Sequence, residues 1–134
     1  MSTTRATLAC ASVLFVSACA STTTPTTSSS GLQVSESFSG TLAQGGSASN
    51  NFTVATDGTI TITLVSLTPQ TTITMGLGIG TPSAATCVVN QSQENVKVGT
   101  PLSGTLTAGV YCVELYDLGN MTGPDTYSLT VMHP

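Results

Sequence analysis

Basic side chains are almost missing from this chain: Arg5 and Lys97 are the only two among 134 residues. Beyond residue 18, Lys97 alone faces Glu36, Asp57, Glu94, Glu114, Asp117 and Asp125, one base against six acids and hence a net charge of −5. Proteins that bind nucleic acid draw affinity from cations that neutralise phosphates, so this balance excludes that class. The sole histidine, His133, stands beside the final Pro134. Chain ends fray in most domains, so His133 is expected to be solvated and unable to serve as a general base. Tryptophan is absent, and of the three tyrosines Tyr111 and Tyr127 belong to core-facing runs. Tyr116 alone is a poor platform for stacking sugar rings. No apolar run is long enough to span a bilayer: Ala6 to Val16 covers about eleven residues where about 20 are needed.

What the N-terminus does contain is the layout of an export signal. A positive start with Arg5 leads into that short apolar run, and small residues follow at a cleavage position. Val16-Ser17-Ala18-Cys19 resembles the lipobox of bacterial lipoproteins, in which the Cys becomes an acylated N-terminus; this makes residues 1–18 a signal peptide and Cys19 the lipidation site. Ala18-Cys19-Ala20 is also an Ala-x-Ala site for ordinary signal peptidase, which would release a periplasmic or secreted protein starting at Ser21. Acylation on Cys19 would hold the protein on its membrane without a transmembrane helix, since each buried methylene adds roughly 0.8 kcal/mol. In a Gram-negative host, Ala20 after the Cys points to the outer membrane. Residues 19–30 continue as Ser and Thr around Pro25, too polar to offset the entropy of ordering, and read as a tether or a glycosylated stalk.

Residues 31–134 have the size of one small domain. Charged residues are 6% of the chain while hydrophobic ones are 40%, a composition of short strands and turns rather than amphipathic helices. Ile60, Ile62 and Leu64 alternate with Thr59, Thr61 and Thr63, which puts aliphatics on one face and hydroxyls on the other. Ile73, Met75, Leu77 and Ile79 alternate with Thr72, Thr74, Gly76 and Gly78, and the glycines predict a close neighbour or a bend. Phe38 and Leu42, Phe52 and Val54, Tyr111, Val113 and Leu115, and Tyr127, Leu129 and Val131 supply further buried faces.

Between these runs lie Gly45-Gly46, Asp57-Gly58, Thr81-Pro82, Thr100-Pro101, Ala108-Gly109 and Gly123-Pro124. Asp57-Gly58 predicts a two-residue hairpin joining the Phe52 and Ile60 strands. The spacing predicts an antiparallel β-sandwich of about eight strands. Ser39-Gly40-Thr41-Leu42 recurs as Ser103-Gly104-Thr105-Leu106, too few copies for a solenoid and consistent with two strands entering similar turns.

Phe38 to Leu42, the Phe52 and Val54 strand, Gly58 before Ile60-Thr61-Ile62, Leu106 to Tyr111 and Tyr127 to Val131 together resemble the bacterial pre-peptidase C-terminal domain over most of residues 33–132. The resemblance implies a jelly-roll-like sandwich in secreted or surface proteins, often accessory to a protease and sometimes calcium-binding. The chain departs from that pattern in lacking a peptidase domain and in carrying Cys87 and Cys112.

An exported chain meets an oxidising compartment, and with Cys10 removed and Cys19 acylated, Cys87 and Cys112 remain as a pair. A disulfide between them, on the strand face opposite Tyr111 and Val113, is expected. Two thiolates without a nearby His are a poor metal site. Glu114, Asp117 and Asp125 lie on or beside the last loop, where with Asn120 and backbone carbonyls they are candidate calcium ligands, although no EF-hand spacing supports them. The expected function is thus a non-catalytic envelope module with the membrane and an unidentified envelope component as partners and no obligatory cofactor. The alternatives are an accessory to a secreted hydrolase, or a calcium- or glycan-binding module.

Overall fold

The computed structural model describes residues 32–134. The signal peptide expected over residues 1–18, the lipidation expected at Cys19 and the tether expected over residues 19–30 fall outside the described residues. Eight strands make up the domain: β1 (Val34–Leu42), β2 (Ser47–Val54), β3 (Gly58–Thr68), β4 (Met75–Ser83), β5 (Thr86–Val96), β6 (Pro101–Leu106), β7 (Gly109–Asp117) and β8 (Asp125–His133). No helix occurs among the described residues. One sheet has the order β1-β8-β3-β6 and the other β2-β7-β4-β5, all pairs antiparallel. Each sheet therefore alternates between strands from the two halves of the chain, the order of a jelly roll.

The Thr/Ile alternation of β3 is the clearest case of sequence dictating placement. Ile60, Ile62 and Leu64 are fully buried, as are Leu129 and Val131 on the neighbouring β8 and Leu77, Val113 and Leu115 across the sandwich. Burying a side chain of this kind contributes about 1.5–3 kcal/mol each. The opposite face of the first sheet carries hydroxyls: Ser35, Ser37, Ser39 and Thr41 on β1, Thr126, Ser128 and Thr130 on β8, and Thr59, Thr61 and Thr63 on β3. Cross-strand bonds link Ser66 to Ser128 at 2.7 Å and Thr61 to Ser103 at 3.4 Å. Val65, Pro101 and Met132 are the apolar interruptions, and no charged side chain occupies this face.

Two turn expectations fail, each for its own reason. Asp57-Gly58 does join β2 to β3, but those strands belong to different sheets, so the segment is a crossover rather than a hairpin. Gly58 does not take the positive φ a type I′ turn needs. Asp57 instead accepts the Ala108 N–H at 2.8 Å, tying this crossover to the β6–β7 crossover beside it. Thr81-Pro82 lies within β4; the hairpin turns two residues later, at Ala84-Ala85, where Ser83 pairs with Thr86. Ile73 precedes β4 and packs half-buried against the core. The repeated Ser-Gly-Thr-Leu falls at the ends of β1 and β6, the two edge strands of one sheet, and each is followed by a crossover to the other sheet.

Candidate functional site

The topology sorts the loops by end. Residues 43–46, 69–74, 97–100 and 118–124 cluster at one end, while residues 55–57, 84–85 and 107–108, the start of β1 and Pro134 lie at the other. Leu32, 92% exposed, enters at that second end.

At the first end Asp117 gathers the loops. Its Oδ1 accepts N–H bonds from Gly119 at 2.9 Å, Asn120 at 2.9 Å and Met121 at 3.1 Å, and its Oδ2 accepts the Gly45 N–H at 2.8 Å. Desolvation pushes the carboxyl upward, but the bonds from Gly45, Met121, Asn120 and Gly119 outweigh it and hold the group below its ordinary value of 3.8. Asn120 donates to the Thr74 carbonyl, fastening the same loop to the β3–β4 connection. Asp125, 1% exposed, receives the backbone and side-chain N–H groups of Gln70 on Oδ1, while its Oδ2 is buried without a hydrogen-bond partner. Glu114 stands away from both, midway along β7 on the outer face of its sheet and paired with Ser49.

Glu114, Asp117 and Asp125 are therefore not brought together. Among the described residues no three of His, Cys, Asp and Glu are placed to hold a metal ion. The oxygens of Asp117 already face four N–H groups, which repel a cation as they attract the carboxylate. Asp117 is a loop staple, and Asp125 is fixed between β8 and the Gln70 loop.

His133 is not the solvated end residue expected. It is 2% exposed, its Nε2 lies 2.8 Å from Glu36 Oε1 on β1, and its ring lies 5.5 Å from that of Phe52. Pro134 is buried too, and its carbonyl accepts the Ala55 N–H at 3.2 Å. The physical reason is topological: β8 is an inner strand, flanked by β1 and β3, so its last residues are held on both sides.

The Cys87–Cys112 disulfide is present. Cys112 is on β7 and Cys87 on β5, with β4 between them. Strands flanking a third stand roughly 9.5 Å apart in a flat sheet, yet these Cα atoms are 5.8 Å apart. The β4–β5 hairpin therefore bends over β4. Glycine permits it: a Cβ on Gly80 would run into the Val88 carbonyl, and one on Gly78 would stand 2.7 Å from Val89 Cγ1. The Tyr116 ring covers Gly76 in the same way, which accounts for its half-burial. The close approach predicted from these glycines is thus a hairpin folded onto the outside of the sheet.

Under the bent hairpin an open cleft of about 270 Å³ forms between its tip and edge strand β2, lined by Ser49, Asn50, Asn51, Ala84, Ala85 and Thr86. Asn51 pairs in register with Cys112, and Thr86 precedes Cys87, so the disulfide links floor to roof. Sequence reasoning missed this site. No local signal marks it: Ser49 and Asn51 read as ordinary exposed strand positions, and Asn50, at the inward parity of Phe52 and Val54, finds its partner in the Tyr127 hydroxyl at 3.3 Å. The lining supplies hydroxyls and amides and no titratable side chain. No protein-family model matches the chain, and no curated protein resembles it in sequence.

Proposed function

We propose that this chain is a bacterial lipoprotein: a non-catalytic β-sandwich, anchored in the envelope through acylated Cys19, that acts as an interaction or structural module. The observation that carries the reading is Val16-Ser17-Ala18-Cys19 between a short apolar run and a Ser/Thr tract. The fold is compatible with it. A tether reaching Leu32 joins the end that holds Pro134, and the Asp117 loop cluster then points away from the membrane. The non-catalytic part draws support from the chemistry of the candidate groups. His133 is engaged by Glu36 within the core, Asp117 is saturated by backbone N–H groups, and the cleft offers no general base. The resemblance to the pre-peptidase C-terminal domain fits the same role and rests on the sequence elements alone.

Metabolic labelling with an alkyne fatty acid, followed by membrane fractionation, tests the reading. The wild-type protein should carry the label and sediment with membranes. Cys19→Ala should carry none and move to the soluble fraction. A Cys19→Ala variant that stays membrane-bound, or a mature N-terminus at Ser21, overturns the proposal.

A further inference from the structure

We propose that the cleft beneath the bent hairpin binds an uncharged saccharide, one or two sugar rings at a time. This deepens the reading of an envelope module by naming a class of partner, and rests on that reading only for where the partner would be met.

The cleft is small and polar. Its volume, about 270 Å³, stands near the lower limit of small-molecule sites, about 300 Å³, the scale of a sugar ring or two rather than a peptide or lipid chain. Four of its six lining residues are Ser, Asn or Thr. Among the described residues Ser49 and Asn51 make no side-chain hydrogen bond, so both are free to exchange donors and acceptors with a ligand. Asn50 points inward, its amide donating to the Tyr127 hydroxyl, and leaves recognition to its outward neighbours; Thr86 donates its hydroxyl to the Ser83 carbonyl at 2.8 Å and keeps its lone pairs. An amide offers both signs of hydrogen bond on one rigid plane, which matches neighbouring hydroxyls that each donate and accept.

Charge sets the rest of the specificity. The lining carries none, and the cross-strand neighbour of Ser49 is Glu114. A carboxylate at the rim accepts hydroxyls and repels phosphates and uronates. Lys97, the one base among the described residues, lies in the β5–β6 loop at the opposite end of the sandwich. Without an aromatic floor to stack on, each site is weak, and useful attachment comes from many copies engaging one polymer. The disulfide keeps the roof in place, so the cleft is a rigid feature of the oxidised protein.

Two-dimensional NMR of the isotope-labelled protein, titrated separately with maltotriose, cellotriose, mannotriose and chitotriose, tests this. At least one should shift the signals of Asn50, Asn51 and Thr86 in a saturable manner at millimolar concentration, while trigalacturonate should not. Asn51→Ala should weaken that binding about tenfold, the loss of one or two hydrogen bonds, and Ala85→Trp should abolish it by filling the space. Both positions are exposed, so both variants should keep the parent's melting behaviour. No saturable shift with any of the four, equal binding of trigalacturonate, or binding that survives both variants overturns the proposal. None of these outcomes depends on acylation, so this reading and the lipoprotein reading fail separately.

Discussion

At Gly80 and Ala84 the same hairpin makes opposite demands on side-chain size. Gly80 is where the β5 backbone folds onto β4, and the Val88 carbonyl fills the space a Cβ would take. Gly80→Ala is expected to destabilise the protein by about 3 kcal/mol, because the obstacle is backbone. Ala84 adopts φ 53°, a conformation that costs an L-residue about 1–2 kcal/mol and glycine nothing. Ala84→Gly is expected to stabilise by about 1 kcal/mol, less than the full relief because glycine also gains freedom in the unfolded chain. Thermal melts of the two variants should move in opposite directions. Asp117 makes a third prediction at this scale. Its carboxyl sits below 3.8 in the fold, so the unfolded chain takes up the proton first as pH falls. The stabilisation is complete above that value and is lost as pH drops through the folded value. Asp117→Asn should cost about 1–2 kcal/mol near neutral pH, discounted for a half-exposed group. Urea unfolding should show the gap to wild type closing below pH 3.8.

At the scale of elements, the β4–β5 hairpin is the part of the sandwich that depends on a covalent link. Its tip reaches past β7 towards β2 with few apolar residues to hold it: Ala84, Ala85 and Thr86 are all exposed. The disulfide spans 25 residues, and closing a loop of that length contributes about 3.5 kcal/mol by chain entropy. Cys87→Ser with Cys112→Ser should lower the melting temperature. It should also speed amide exchange in β5 well before β3 or β8 opens, since those two strands are held in the other sheet. Exchange that rises evenly across all eight strands would contradict this division of labour.

For the whole molecule, closure comes from the meeting of its first and last strands. β8 lies between β1 and β3; His133 reaches Glu36 on β1, and Pro134 reaches Ala55 before β3. Removing His133 and Pro134 should therefore cost several kcal/mol, from the lost packing against Phe52 and the bonds to Glu36 and Ala55. A frayed end would have cost almost nothing. Denaturant unfolding of the shortened chain distinguishes the two.

The sandwich was legible in the sequence because strand burial is written with a period of two, and Thr59 to Leu64 or Tyr127 to Val131 can be buried on only one face. The pairing of Cys87 with Cys112 followed from an even count of cysteines in the domain. The Asp57-Gly58 connection was misread because turn chemistry reports local backbone shape and is silent about which sheet the next strand joins. His133 was misread because position in the chain says nothing about position in a sheet. The lipidation proposed at Cys19 rests on the N-terminal sequence, outside the described residues. Local pattern by itself thus determined the fold class, the buried faces and the disulfide, since each depends on neighbours or on composition. Tertiary structure alone decided that Asp117 is a staple, that the calcium candidates stand apart, and that a bent hairpin roofs a cleft over Asn50 and Asn51. Those outcomes depend on residues distant in sequence converging in space, which no local periodicity encodes.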